Sequence, residues 1–354
     1  MTDILDNKNV IAQRDPAGAL EVIANQYKQA QFEVKVENAS HDNRDISSIV
    51  VTGMGGSALA ALLVKVLLKQ EVPIPFEIVR DYDIPAYVGE GTLVIASSYS
   101  GNTEETLSAL EQARKKGAQV GIVTSGGQLA DIAVQNDIAH VSLPSGAQPR
   151  MATIYNLRGL FALLEAFGVV GGHWLADLAG IGAWLEAETA KWTPDVPTEQ
   201  NLAKQLALET IGKVQIFYGG PVTAPLAYKW KISFNETAKN VAFWNEYPEF
   251  NHNEFMGWTS HPVEKPFAVV DIISSLDRQR VHQRFELSDK LLSGQRPHAY
   301  TLELQGETLL AQLVWGAILA DFASTYAAIL NQVDPTPVAL IEKLKQELAE
   351  LPTA

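Results

Sequence analysis

Between Val94 and Leu110 the chain reads VIASSYSGNTEETLSAL, an apolar strand-like run that breaks into a hydroxyl-rich loop and opens at once onto a helix. Few folds accept that order. A helix N-terminus presents unpaired backbone N–H groups and the positive end of the helix dipole, and Ser98, Ser100 and Thr103 add hydroxyl donors at the same place. Such a set suits a phosphate dianion. With 41 acidic against 27 basic side chains the formal net charge is −14, so an anionic ligand needs a local refuge of this kind. The same residues also read as an ordinary capped helix, with Thr103 as N-cap and Thr106 where a capping box carries Glu or Gln.

A second loop weighs toward the ligand. Ile49-Val50-Val51 runs into Gly53-Met54-Gly55-Gly56-Ser57 and then the helix-like Ala58-Leu59-Ala60-Ala61-Leu62-Leu63. The glycines allow a tight turn and close backbone approach, and Ser57 stands where the helix begins. A dinucleotide fingerprint would put its third glycine, or an alanine, at Ala58. It would also need an acidic residue about 20 positions on, whereas the next strand reaches Arg80-Asp81 nearer 25. Two hydroxyl-bearing strand-to-helix loops point to a compact phosphate.

The pattern around these loops predicts an α/β fold. Apolar or β-branched runs at 46–52, 76–80, 93–97, 120–124 and 140–143 alternate with helical patterns at 58–69, 104–116 and around 129–135. Near-continuous apolar strands between amphipathic helices imply a parallel sheet covered on both faces, with ligands beyond the carboxyl ends of the strands. Residues 151–167 and 174–193 read as further helices. At 191–201, KWTPDVPTEQN breaks every period, and the alternation then resumes with strands at 214–218, 241–244, 267–273 and 300–304. The first of these ends in Gly219-Gly220-Pro221, an echo of GMGGS without its serine. The expectation is two doubly wound parallel-sheet domains in tandem, 1–190 and 200–354, with a C-terminal helix and phosphate binding kept only by the first.

Composition narrows the chemistry. The acidic balance and the lack of a basic cluster exclude nucleic acid as the expected partner, and the absence of cysteine excludes thiol catalysis, disulfides and cysteine-ligated metals. The N-terminus shows no basic region followed by an apolar core, so a signal peptide is not expected. Residues 309–330 are long enough to span a bilayer, but Gln312, Asp321, Ser324 and Thr325 within them predict a core or subunit-interface helix instead. No membrane partner, no metal and no organic cofactor are expected, and the expected location is cytoplasmic.

GMGGSA followed some forty residues later by SYSGNTEET resembles the sugar isomerase (SIS) domain, a doubly wound module that binds phosphosugars. Arg150 in SGAQPRMA, Glu236 in FNETAKN, His252 in FNHNEFMGW and the C-terminal DPTPVALIEKLK extend the resemblance to the bifunctional phosphoglucose/phosphomannose isomerase family, from about Ile46 to Leu351. The resemblance implies an aldose–ketose isomerase for hexose 6-phosphates. It implies Glu236 as the base, His252 for ring opening and Arg150 over the developing enediolate. Substrate contacts would come from Gly56, Ser57, Ser98, Ser100, Thr103, Thr336 and Lys343. It also implies a homodimer whose site lies at the subunit interface, because the family's histidine comes from across it.

Taken alone, these residues have plainer readings. Glu236 is equally a solvated helix carboxylate paired with Lys239 or Lys231, His252 a loop histidine bonded to Asn251 or Asn253, and Arg150 a surface arginine. Thr336, between Pro335 and Pro337, reads as N-cap of the last helix, with Lys343 two turns on along the same face. The alternative function is a non-catalytic SIS-type regulator, which would keep the phosphate loops and need neither Glu236 nor His252. Two departures from the family pattern stand out: about 45 residues precede the first expected strand, and the loop at 261–266.

Overall fold

Among the described residues, 2–260 and 265–351 of a computed structural model, ten strands form two sheets. The first contains β1 (Val36–Glu37), β2 (Ser48–Thr52), β3 (Phe76–Val79), β4 (Thr92–Ser97), β5 (Gln119–Thr124) and β6 (Ala139–Ser142), in the order β1-β6-β5-β4-β2-β3. Strands β2 to β6 are parallel, and the two-residue β1 joins β6 antiparallel. The second contains β7 (Val214–Gly219), β8 (Ala242–Glu246), β9 (Phe267–Ile273) and β10 (Tyr300–Glu303), all parallel, in the order β10-β9-β7-β8. The doubly wound α/β class read from the sequence is the class of the fold. Strands β2 and β4 are buried at every residue, as continuous apolar runs between two helical layers must be.

Helices α1 (Gly55–Leu67), α2 (Glu104–Lys115), α3 (Gly127–Gln135) and α4 (Thr153–Ala166) belong to the first half. Helices α5 (Leu202–Thr210), α6 (Ala224–Glu236), α7 (Gln279–Leu291), α8 (Leu309–Asn331) and α9 (Ala339–Ala349) belong to the second. In the first sheet the winding reverses between β2 and β4, and in the second between β7 and β9. Each reversal opens a crevice beyond the carboxyl ends of two neighbouring strands, the usual ligand position in such sheets.

Helix α8 is long and apolar enough to cross a membrane, with mean hydropathy 1.6, yet its apolar stretch is wholly buried inside the protein. It packs on α5, α6 and α1 and on the N-terminal helices. The main apolar cluster therefore runs from Leu5 to Leu330 through both halves. The proline-bearing segment 191–201 separates two sheets but not two main cores.

The residues ahead of the first expected strand are part of that core. Helices Lys8–Arg14 and Ala19–Ala24 bury Ile11, Leu20 and Ile23, and Arg14 donates from Nη1 to the Ile329 carbonyl at 2.7 Å. Helices of seven and six residues lie far below the roughly 12–15 at which an isolated helix persists, so their existence depends on packing that local periodicity does not record. Elsewhere the differences are boundaries. The pattern at 174–193 splits into His173–Gly180 and Gly182–Ala190, and where residues 224–239 read as one helical stretch, α6 stops at Glu236 and Lys239 turns left-handed at φ 56°. Of the loop 261–266, residues 261–264 lie outside the described residues.

Candidate active site

The two hydroxyl loops meet at the first crevice. The backbone N–H of Tyr99, in the loop after β4, donates to Ser57 Oγ in the first turn of α1 at 3.2 Å. Ser98 Oγ lies 2.8 Å from Thr103 Oγ1 and 3.5 Å from Ser100 Oγ, and accepts the Gly101 N–H at 3.2 Å. Thr103 holds the N-cap position of α2, but its hydroxyl makes no capping bond, and α1 begins after Met54 with no side-chain cap either. The plain reading of Thr103 as a helix cap is thereby corrected: its hydroxyl is turned toward Ser98. Two helix N-termini keep their first-turn N–H groups free of side-chain caps beside the hydroxyls of Ser98, Ser100 and Thr103, an arrangement whose donors and dipoles suit an anion. Ser57 and Ser98 are buried, Thr103 is half-buried and Ser100 is exposed at the mouth.

Arg150 stands next to this crevice. It lies in a short turn, Pro149–Met151, and Gly56 packs so tightly on it that a Cβ there would sit 2.7 Å from the Pro149 carbonyl oxygen and 3.3 Å from Arg150 Cα. Gly56 thus serves by letting α1 touch the arginine turn. The Arg150 side chain is 1% exposed, not a surface group, and its donors are spread over both halves. Nε donates to Thr237 Oγ1 at 2.9 Å, Nη1 to Gln148 Oε1 and Glu236 Oε2 at 3.3 and 3.4 Å, and Nη2 to the carbonyls of Pro335 and Thr336 at 2.8 and 3.0 Å. Burial pulls the guanidinium below its ordinary value, while the carboxylates of Glu236 and Asp321 oppose that pull.

Glu236 closes α6, with a side chain 26% exposed and its carboxylate beside Arg150. Neither lysine suggested as its partner takes that carboxylate. Lys239 instead donates to the main-chain carbonyls of Glu236 at 2.5 Å and Pro337 at 2.8 Å, and burial, then Arg150, lower its pKa. Thr336 joins the group through its carbonyl but caps nothing: its own N–H donates to Asp334 Oδ1 at 2.9 Å, and α9 starts three residues later at Ala339 with Val338 at the N-cap. Pro337 explains the delay, since a residue preceding proline is pushed out of the helical region. Lys343 and Thr336 therefore do not share a helical face. Lys343 points outward, 70% exposed, 3.6 Å from Glu347.

His252 is not brought to this group within the chain. It ends the turn Glu249–His252 after β8 and is exposed, while its neighbours are engaged elsewhere, Asn251 with Ser288 and Arg284 and Asn253 with Glu249. Among the described residues no cluster of three or more His, Asp or Glu side chains is placed to hold a metal ion. Sequence reading missed Gln148 and Thr237, and gave Lys239 the Glu236 carboxylate where it takes main-chain carbonyls. Thr237 and Lys239 do fall inside the FNETAKN segment, so adjacency to Glu236 was their available signal.

Comparison with known proteins bears on this arrangement. Residues 44–169 match the SIS domain and residues 199–348 the bacterial phospho-glucose isomerase C-terminal SIS domain. The chain is 37% identical to the bifunctional phosphoglucose/phosphomannose isomerase of Caldicellulosiruptor bescii over 87% of its own length and 91% of that protein's. The chain belongs to this family. The enzyme of the same description from Aquifex aeolicus is 31% identical over 88% of this chain and 93% of its own. A glucose-6-phosphate isomerase like protein from Thermus thermophilus superposes with a TM-score of 0.65 at 19% identity, covering 97% of this chain and 98% of that one, and so shares the fold. As a member of the phosphoglucose/phosphomannose isomerase family the chain is an isomerase, which sets aside the non-catalytic regulator.

Proposed function

We propose that this chain interconverts glucose 6-phosphate and/or mannose 6-phosphate with fructose 6-phosphate through a cis-enediolate. Ser57, Ser98, Ser100 and Thr103 hold the phosphate in the first half, residues 1–190, and the second half, 200–354, supplies the carboxylate. Glu236 removes the proton from C2 of the opened aldose and returns it to C1. The negative charge that develops on O1 and O2 meanwhile falls under the Arg150 guanidinium, whose charge is permanent and whose fork is already fixed. Gly56 keeps the phosphate helix against the arginine turn, and Thr336 completes the contacts to the sugar, whereas Lys343, turned outward in the chain, is left without a role in this reading. The observation that carries this reading is the Arg150–Glu236 pair, 3.4 Å apart, with Arg150 on a turn that abuts the uncapped start of α1 and Glu236 at the end of α6.

Ring opening requires a group that protonates the ring oxygen, and His252 of a second copy is assigned that step, which makes the working enzyme a homodimer. Its exposure within one chain supports the assignment. A doubly charged hexose phosphate does not cross a bilayer unaided, so the reading includes a cytoplasmic enzyme. The test is a coupled assay of the purified protein with each of the three hexose 6-phosphates, with and without a strong chelator. Interconversion that survives chelation is expected. Turnover of none of the three would overturn the proposal.

A further inference from the structure

Beneath Arg150 lies a polar network that the isomerisation chemistry does not itself require. Lys229, on α6, is fully buried, and its Nζ donates to Asp321 Oδ1 at 2.5 Å and to the main-chain carbonyl of Arg150 at 2.7 Å. The same carbonyl accepts the Thr153 hydroxyl at 3.2 Å. Asp321, on α8 and 1% exposed, also accepts Ser233 Oγ on Oδ1 at 2.9 Å and Gln26 Nε2 on Oδ2 at 2.9 Å. Through Lys229 and Asp321 the network thus ties four parts of the chain together: the N-terminal segment, α6, α8 and the arginine turn.

Stability is a poor reason for such a pair. Taking both charges out of water costs more than a well-packed apolar replacement at the same place, and Leu319, Ala320, Phe322 and Ala323 flank Asp321 on α8. What the network supplies is position. Arg150 comes from the first half and Glu236 from the second. Their separation depends on how the turn sits against α6, and Lys229 lies two helical turns before Glu236 on that same helix. We infer that Lys229 and Asp321 are positioning residues that hold the Arg150 turn at a fixed height over Glu236, so that the guanidinium is in register with the enediolate. The inference rests on the isomerase reading above. Neither side chain touches the sugar, and no proton passes through them.

Lys229→Met alone leaves Asp321 buried without its cation. The decisive variant is therefore Lys229→Met with Asp321→Asn, which removes both charges and keeps an acceptor for Ser233. Three readings are taken on it and on the wild type: kcat and KM, the Kd of an inert hexitol 6-phosphate, and the Kd of a five-carbon phosphorylated aldonate whose carboxylate imitates the enediolate. Loss of register by a fraction of an ångström is expected to lower kcat about 10- to 100-fold. Affinity for the aldonate should fall by the same factor, whereas KM and the Kd of the hexitol phosphate should stay within about twofold. A general loosening of the fold would weaken both ligands together, and that result overturns the inference, as does wild-type kcat in the double variant. If the wild type itself turns over no hexose phosphate, it is the proposed reaction that falls. If the wild type is active and the double variant equals it, only the positioning role falls.

Discussion

The crevice between β2 and β4 and the crevice between β7 and β9 are built on the same winding, yet different side chains occupy them. In the first, the serines and threonine after β4 bond to one another and the two helices that start there carry no side-chain cap. In the second, the chain fills the space itself. Ser274 donates to Gln312 Oε1 at 2.6 Å and Gln312 donates to Ser275 Oγ at 3.0 Å, so α8 consumes the hydroxyls after β9. The carboxylate of Asp277 occupies the turn after β7 so closely that a Cβ on Gly220 would collide with it. Burial raises the pKa of that carboxylate, and the backbone N–H groups of Arg278 and Val222 work against the rise. An internal carboxylate thus sits at the place that corresponds to the phosphate site proposed for the first half. The comparison teaches that a duplicated architecture diverges by side-chain occupancy at one loop, with strand order untouched.

The largest effect that can break this division of labour is on chemistry. Glu236→Gln keeps shape and polarity but removes the basic site, so kcat should fall by about 10²- to 10⁴-fold with KM little changed. Exchange of the C2 proton with solvent deuterium should fall in parallel, and near-normal exchange would remove the second half from catalysis. A smaller effect tests the first half. Ser100→Ala removes one hydroxyl bond to a dianion and should raise KM by roughly ten- to a hundredfold at nearly constant kcat. Asp277→Asn, in the matching place of the second half, should leave KM where it was. If it changed KM as much as Ser100→Ala does, the claim that one crevice alone binds phosphate would fail.

The smallest effect concerns stability and not rate. Asp271 on β9 is buried with Oδ1 lacking a hydrogen-bond partner among the described residues, and burial pushes its pKa up to about 7, against the pull of Arg296. A carboxyl raised in the folded state favours the fold fully below its unfolded value, about 3.9, and loses that contribution as pH climbs to about 7. Relative to Asp271→Asn, the wild type should therefore lose stability between roughly pH 4 and 7, at no more than about 1.4 kcal/mol per pH unit. Paired denaturant titrations across that window provide the check, and parallel curves would mean that Asp271 does not titrate there.

How far the sequence led depends on the range of the interaction concerned. The parallel sheets were legible because their strands are continuous apolar runs set off by turn residues, and the two hydroxyl loops because hydroxyls and glycines cluster within single short segments. Arg150 was legible only through family resemblance. Its surroundings are a carboxylate 86 residues away and two carbonyls 185 and 186 residues away, which no local pattern encodes. Thr336 was misread as a helix cap because a threonine between two prolines carries the cap signature, while the second proline postpones the helix. Lys229 and Asp321 were invisible as a pair for the same reason of distance, being 92 positions apart. In the second half, Gly219-Gly220-Pro221 did show the loss of a serine, but not that Asp277 had moved in.

The bond between Gln26 and Asp321 spans 295 positions, and that between Arg14 and Ile329 spans 315. Chains are synthesised at roughly 5–20 residues per second, so the segment that forms the N-terminal helices waits roughly 15 to 60 s before the helix it rests on has been made. Throughout that interval Ile11, Leu20 and Ile23 have no permanent cover. The last long helix is in turn the segment most prone to associate wrongly if its partners are absent. Residues 8–26 and α8 are thus each other's shelter, and this part of the core cannot close until α8 has been made.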